Sequence, residues 1–352
     1  MSSRARTQLR RAVDGLLGRA GYTIVRQPGR DRVYGVATGG RLEGFDPGLH
    51  SSASSLPPGA EEVLREDNPR LAELRESYAR LDWPVCSHSR WRPVNVSGFL
   101  SLQYFRGDTV YLWHYRDSEE LAQLKYFVYL RYLTERDGPR LLERLDEDGA
   151  FGCWTYRFPP DTTVSRDLLD SVNELLFLER HLSILHAEGL RILDIGAGYG
   201  RLAHRASQAI ESLSLYACAD AVPESTFLSE YYTSFRSVTP PVRVVPLPEV
   251  PALPTGGFDL AVNVHSFSEC PVAAIEWWMQ LLARLEVPRL FLVPNERTGF
   301  LSTEPDATRR DYLPVIEAAG YRCRVEEWAF DDPAVRQAIG IGDRFCLFER
   351  EA

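Results

Sequence analysis

Long apolar runs are missing from this chain: no stretch approaches the eighteen or more consecutive apolar residues of a membrane span. No fixed period recurs, which excludes collagen, coiled-coil and repeat arrays. An excess of positive charge is missing as well. Lys+Arg number 40 against 49 Asp+Glu, a net −9, so a general nucleic-acid binder is not expected. Cysteine is sparse and scattered: Cys86, Cys153, Cys218, Cys270, Cys323 and Cys346 form no CxxC pair. They read as small buried hydrophobes in a reducing compartment, so a cytoplasmic location is expected and a structural zinc is not. What is present is ordinary globular composition, 44% hydrophobic over 352 residues. That length buries a sizeable core and fits two domains or one large decorated one.

The chain divides into four stretches. Residues 1–34 are basic: between Ser2 and Arg32 eight arginines face Asp14 and Asp31, a net +6. Leu9, Val13, Leu16 and Leu17 fall at helical spacing, so an amphipathic helix is expected. It either docks on the protein with its arginines solvated or touches an anionic membrane surface. Its apolar positions alternate with charge, unlike a signal peptide. Residues 35–59, rich in Gly, Ser and Pro, read as a linker. Residues 60–164 read as a mainly helical accessory domain that shapes an acceptor pocket or a dimer interface, and a homo-oligomer, most simply a dimer, is expected. Within it Asn68-Pro69 marks a helix cap, and Gly98 to Trp113, turning at Arg106-Gly107-Asp108, predicts a β-hairpin. Helices are predicted over 118–136 and 139–145.

From 165 onward the pattern changes. A helix, capped by Ser165, leads into apolar runs alternating with helices. The runs are Leu190–Ile195, Leu213–Ala219, Arg243–Pro246, Phe258–Val264, Arg289–Val293, Arg322–Trp328 and Arg344–Glu349. A helix over 310–319 ends at Gly320 before the last two. The alternation predicts βαβ units on a parallel sheet, closed by two late strands.

The most informative segment is Leu193-Asp194-Ile195-Gly196-Ala197-Gly198-Tyr199-Gly200-Arg201. An apolar strand ends near an acid, and a glycine-rich turn then opens a helix. Such a turn admits close backbone approach, and the helix start offers free N–H groups to an anion. A dinucleotide fingerprint needs a third glycine where Arg201 stands, which weakens a nicotinamide oxidoreductase. The spacing GxGxG after an acid resembles the first motif of class I methyltransferases that use S-adenosylmethionine. That resemblance implies that Asp194 positions the cofactor's ammonium and that Gly196, Ala197, Gly198 and Gly200 cradle it. Asp220 ends the next apolar run, where a carboxylate can accept from both ribose hydroxyls.

With Ser165 to Glu174, Asp220 through Pro223-Glu224 to Tyr231-Tyr232, and Asn263-Val264-His265-Ser266-Phe267-Ser268-Glu269, the chain resembles bacterial sugar O-methyltransferases of glycosylated natural products and surface glycans. The resemblance runs from about Asn68 to the C-terminus. It implies an α/β fold, a Rossmann-like seven-stranded class I methyltransferase sheet with an N-terminal, mainly helical domain. It also implies a sugar or glycoside acceptor. Ala221 departs from the pattern, where a branched apolar residue is expected, and leaves the adenine side more open.

Methyl transfer to a sugar oxygen needs alignment and removal of the hydroxyl proton. His265, directly after a strand end, and Glu269, four residues on, are the candidate bases. His265 alternatively bonds a backbone carbonyl, and Glu269 alternatively charges a helix start. Asn263 reaches the cofactor or ties off its strand. Arg166 can meet the cofactor's carboxylate if its helix end folds over the site. No carboxylate cluster marks a divalent metal site, and metal dependence is not favoured. Pro294-Asn295-Glu296-Arg297 follows the next strand and either meets sugar hydroxyls or is a solvated turn. His88 and His114, beside Trp91 and Trp113, either pack in the core or help stack an acceptor. A methyltransferase of a non-sugar small molecule and a non-catalytic relative that binds S-adenosylmethionine are the alternatives.

Overall fold

The computed structural model describes residues 56–93, 95–96, 100–107, 111, 119–159, 161–239 and 241–351, together with the backbone of two strands nearer the amino terminus. Those two, β1 (Tyr22–Arg26) and β2 (Val33–Ala37), pair antiparallel. They fall inside the basic stretch and the start of the expected linker. The expected amphipathic helix, Trp113 and His114 lie outside the described residues.

The molecule is built on a seven-stranded sheet. Its strands are β5 (Leu190–Ile195), β6 (Leu213–Ala219), β7 (Val242–Val245), β8 (Leu260–Val264), β9 (Arg289–Val293), β10 (Tyr321–Trp328) and β11 (Arg344–Arg350). The spatial order is β10-β11-β9-β8-β5-β6-β7. All neighbours are parallel except β11, which runs antiparallel to both β9 and β10. The chain moves outward from β5 through β6 to β7, then restarts on the other side at β8. That reversal opens a crevice at the carboxyl ends of β5 and β8.

Both faces of the sheet are covered, which is why its strands read as near-continuous apolar runs. Alternate residues of β9 go to opposite cores: Leu290 and Leu292 to one, Phe291 and Val293 to the other. The covering helices are α5 (Arg166–Leu182), α6 (Arg201–Ala209), α7 (Pro223–Phe235), α8 (Val272–Arg284), α9 (Leu313–Ala318) and α10 (Pro333–Ile339). The helix expected over 310–319 starts three residues later, because Pro314 is tolerated only in a first turn.

Among the described residues, those before 165 pack into the two cores of the sheet. Helices α1 (Ala60–Val63) and α2 (Pro69–Ala79) add Ala60, Leu71, Leu74 and Tyr78 to one face of the sheet. Helices α3 (Glu119–Thr134) and α4 (Leu141–Arg144), with the hairpin β3 (Thr155–Phe158) and β4 (Thr162–Ser165), join the opposite face. The division expected at 164/165 therefore does not coincide with a boundary between cores. Asn68 caps α2 as expected, accepting from the Arg70 N–H at 2.8 Å. Helix α2 is tied to α7 by Arg70–Glu230 at 2.6 Å and Arg75–Glu224 at 2.8 Å.

The hairpin expected around Arg106-Gly107-Asp108 is absent from its described part. Residues 100–107 are turns, and Arg106 is fully buried. Its guanidinium donates to Glu147 at 2.8 Å and to Asp167 at 3.1 Å. Arg205 of α6 reaches the same two carboxylates at 2.9 Å each. Two cations thus face two anions without water, and the Tyr199 hydroxyl donates to Asp167 at 2.6 Å. Burial would push the Asp167 carboxyl up, but Arg106 and Arg205 hold it well below the usual range.

Candidate active site

The glycine-rich turn sits at the mouth of the crevice. Gly196 has φ of 72° and donates its N–H to the Ala219 carbonyl at 2.8 Å. A methyl group there would stand 2.2 Å from the Ser266 hydroxyl, so only glycine lets the turn pass the loop after β8. Gly198, with φ of 58°, lies under the Tyr111 ring, 3.0 Å from where a Cβ would be. Tyr199 roots the turn in the buried charge network, and α6 starts immediately beyond it.

Asp194 and Asp220 end up side by side in space because β5 and β6 are paired in parallel, Asp194 opposite Cys218. Both line one cleft and both are buried, at 4% and 9% exposure. Asp194 accepts from the Tyr216 hydroxyl at 2.9 Å. Asp220 accepts from the N–H groups of Gly198 at 3.0 Å and Val222 at 2.8 Å. Neither carboxylate has a cation in ion-pair contact among the described residues. Burial pushes both up to about 7, against the hydrogen bonds that favour their charged forms. Two such carboxylates beside a glycine turn fit a ligand that carries an ammonium and a ribose.

The whole cleft, turn included, measures about 1690 Å³, well over the roughly 300–1,000 Å³ that encloses one small ligand. Its far wall comes from the loops after β8 and β9 and from the approach to β11. His265 lies on that wall in a left-handed conformation, φ 63°, which is uncommon for a non-glycine residue. Its N–H is fixed by the Val293 carbonyl at 2.8 Å, and its Nε2 faces an Asp343 oxygen at 3.4 Å. Burial disfavours the imidazolium, but the Asp343 carboxylate outweighs it, and His265 is raised above its ordinary range.

The sequence expectations sort clearly. Asp194, Gly196, Ala197, Gly198, Asp220, Ala221, Arg166, His265 and Glu269 all line this one cleft. Arg166 does so with its Nε held by Asp170 at 2.9 Å. Gly200 takes the left-handed position that starts α6, one step back from the cleft, beside Ser229 and Thr233. Asn263 is fully buried and spends both ends of its amide inside the protein. It donates to the Ile195 carbonyl at 2.8 Å and accepts from the Phe267 N–H at 3.1 Å, so it ties off the strand and does not reach the cleft. Glu269 does not orient His265. It accepts from the Trp91 indole at 2.7 Å and faces Arg90 at 3.8 Å.

Asp343 and Tyr111 have no sequence signal, while Trp91 and Arg201 have only a partial one. Asp343 stands just before β11 and meets His265 only because that strand inserts between β9 and β10. Tyr111 and Trp91, rings 5.2 Å apart, come from the accessory stretch to cover the turn. Arg201, noted as the missing third glycine, pairs with Glu174 at 2.8 Å and donates to Ser171. His88, expected either in the core or beside an acceptor, lines the cleft facing the backbone of Ala221 at the Asp220 end, and burial lowers its basicity. Among the described residues no three His, Cys, Asp or Glu side chains gather to hold a metal ion.

The strand order, with its one antiparallel strand next to the edge, and the glycine turn after the first strand are those of a class I methyltransferase fold. No family model and no curated protein matches the chain. Solved structures do. The [4+2]-cyclase SpnF is 16% identical, covering 53% of this chain and 84% of its own, with a TM-score of 0.40. A SAM-dependent methyltransferase from Aquifex aeolicus is 16% identical over 63% and 97%, with a TM-score of 0.37. Magnesium protoporphyrin IX methyltransferase from Synechocystis, with bound SAM, is 16% identical over 52% and 77%, with a TM-score of 0.36.

Proposed function

We propose that this chain is an S-adenosylmethionine-dependent O-methyltransferase that acts on a hydroxyl of a small-molecule acceptor, a sugar or glycoside. One observation carries the reading: two buried carboxylates, neither in an ion pair among the described residues, flank a glycine turn, in a cleft large enough for cofactor and acceptor together. The cofactor, when bound, supplies an electrophilic methyl carbon on a sulfonium. The chain's residues do the rest. Asp194 attracts the ammonium, and Asp220 accepts from the ribose hydroxyls with the lone pairs its backbone donors leave open. The turn gives its backbone close approach to the ligand.

His265 is the proton acceptor for the sugar hydroxyl. Its Nε2 is turned to Asp343, so the lone pair for that proton is on Nδ1. Asp343, 3.4 Å from Nε2, stabilises the imidazolium that forms. Glu269, bound by Trp91, positions the accessory stretch at the cleft and is not the base in this reading. The sugar assignment draws on the sequence resemblance alone, and a non-sugar hydroxyl uses the same base.

Calorimetric titration with S-adenosylhomocysteine, with NAD as control, tests the cofactor. Micromolar binding of the former alone supports methyl transfer, and the reading falls if the folded protein binds neither. Labelled methyl transfer to glycosides and to simple phenols then separates the two acceptor classes.

A further inference from the structure

We propose that the acceptor carries an anionic group, a carboxylate or a phosphate near the hydroxyl to be methylated, and that Arg297 binds it. The proposal rests on the methyl-transfer reading above and names the acceptor's chemistry. Arg297 follows β9, at the carboxyl edge of the sheet where ligands bind, and its side chain lines the acceptor side of the cleft.

Arg297 is solvent-exposed, and two observations mark it out. The first is its seat. Its Cγ and Nε lie across Gly342, 2.8 Å from where a Cβ would be, so a side chain at 342 would push Arg297 off this seat. Gly342 immediately precedes Asp343, the partner of His265, and all four residues line the same cleft. The second is its lack of a counter-charge. Its neighbours are spoken for: Arg166 pairs with Asp170 at 2.9 Å, Arg309 pairs with Glu296, and Arg92 donates to the Pro305 carbonyl at 2.5 Å. Arg297 makes no ion pair among the described residues. An exposed planar fork of donors that lines the cleft of His265 and makes no ion pair among the described residues suits a bidentate oxyanion.

The test uses the full chain saturated with S-adenosylhomocysteine, titrated with methyl glucuronide, a hexose phosphate and neutral methyl glucoside. The anionic sugars are expected to bind about ten- to hundredfold more tightly than the neutral one. Arg297→Gln should remove that preference, Arg297→Lys should restore part of it, and neither should change S-adenosylhomocysteine affinity. Comparing the two anions decides between carboxylate and phosphate. Equal or absent binding of all three sugars overturns the proposal, as does a preference that survives Arg297→Gln. Failure of S-adenosylhomocysteine itself to bind overturns the methyl-transfer reading instead.

Discussion

Asp194 and Asp220 are the residues whose chemistry is most exposed to test. A carboxyl raised to about 7 by burial favours its neutral form in the fold. The apoprotein therefore loses stability as pH rises from the ordinary carboxylate range through 7. A ligand ammonium and hydroxyl donors favour the charged forms, so binding expels protons near neutrality. S-adenosylhomocysteine should bind more tightly at pH 8 than at pH 6, with proton release seen as a dependence of binding heat on buffer ionisation enthalpy. Heats identical in all buffers would count against these carboxylates. Asp220→Ala should weaken binding by about 1.5–3 kcal/mol through lost charged hydrogen bonds, and unchanged affinity would remove the ribose role. At His265 the expectation is kinetic. His265→Ala should lower turnover by roughly 10²–10⁴ while leaving cofactor affinity intact. Asp343→Asn withdraws the carboxylate that raises the imidazole, so the acidic limb of the rate–pH profile should move to lower pH. A profile that stays in place would dissociate the pair.

Elements were read well where local chemistry is decisive and poorly where it is not. The strand runs from β5 to β11 match their expected positions within two residues, because buried strands carry their own apolar signature. Asn68-Pro69 and Ser165 start helices by side-chain capping, which is local as well. The segment around Arg106 was misread because an Arg-Gly-Asp triplet looks like a solvated turn. Its burial depends on Glu147 and Asp167, which lie far along the chain. The hairpin of β3 and β4 was missed, since each strand has only four residues. At this scale Gly196→Ala is the informative change. Besides a positive φ, the new methyl would meet Ser266, so the turn and the His265 loop must separate. Loss of S-adenosylhomocysteine binding with a folded far-ultraviolet spectrum is expected, and unimpaired binding would show that the two segments move freely.

At the scale of the molecule, the buried network of Arg106, Arg205, Glu147 and Asp167 joins the accessory stretch to α5, α6 and the glycine turn. Removing Arg106 leaves Arg205 alone against two carboxylates in the interior. Arg106→Met should cost about 3–5 kcal/mol in denaturant unfolding. A loss below about 1 kcal/mol would mean that water enters and replaces the arginine. Because Tyr199 shares Asp167, a milder change, Tyr199→Phe, should loosen the turn and weaken cofactor binding with little loss of fold.

The sequence by itself determined the order of strands along the chain, the glycine turn, the two acids at successive strand ends and the histidine after β8. All of these are set within a few residues by periodicity, capping and the conformational needs of a turn. Only the tertiary structure decided which of them meet. Asn263 turned inward because two backbone groups needed it, and Glu269 was taken by a tryptophan from the accessory stretch. Asp343 came to the site through an antiparallel strand inserted between two others. Contacts of that kind depend on sheet order and packing, and no local pattern of residues encodes them.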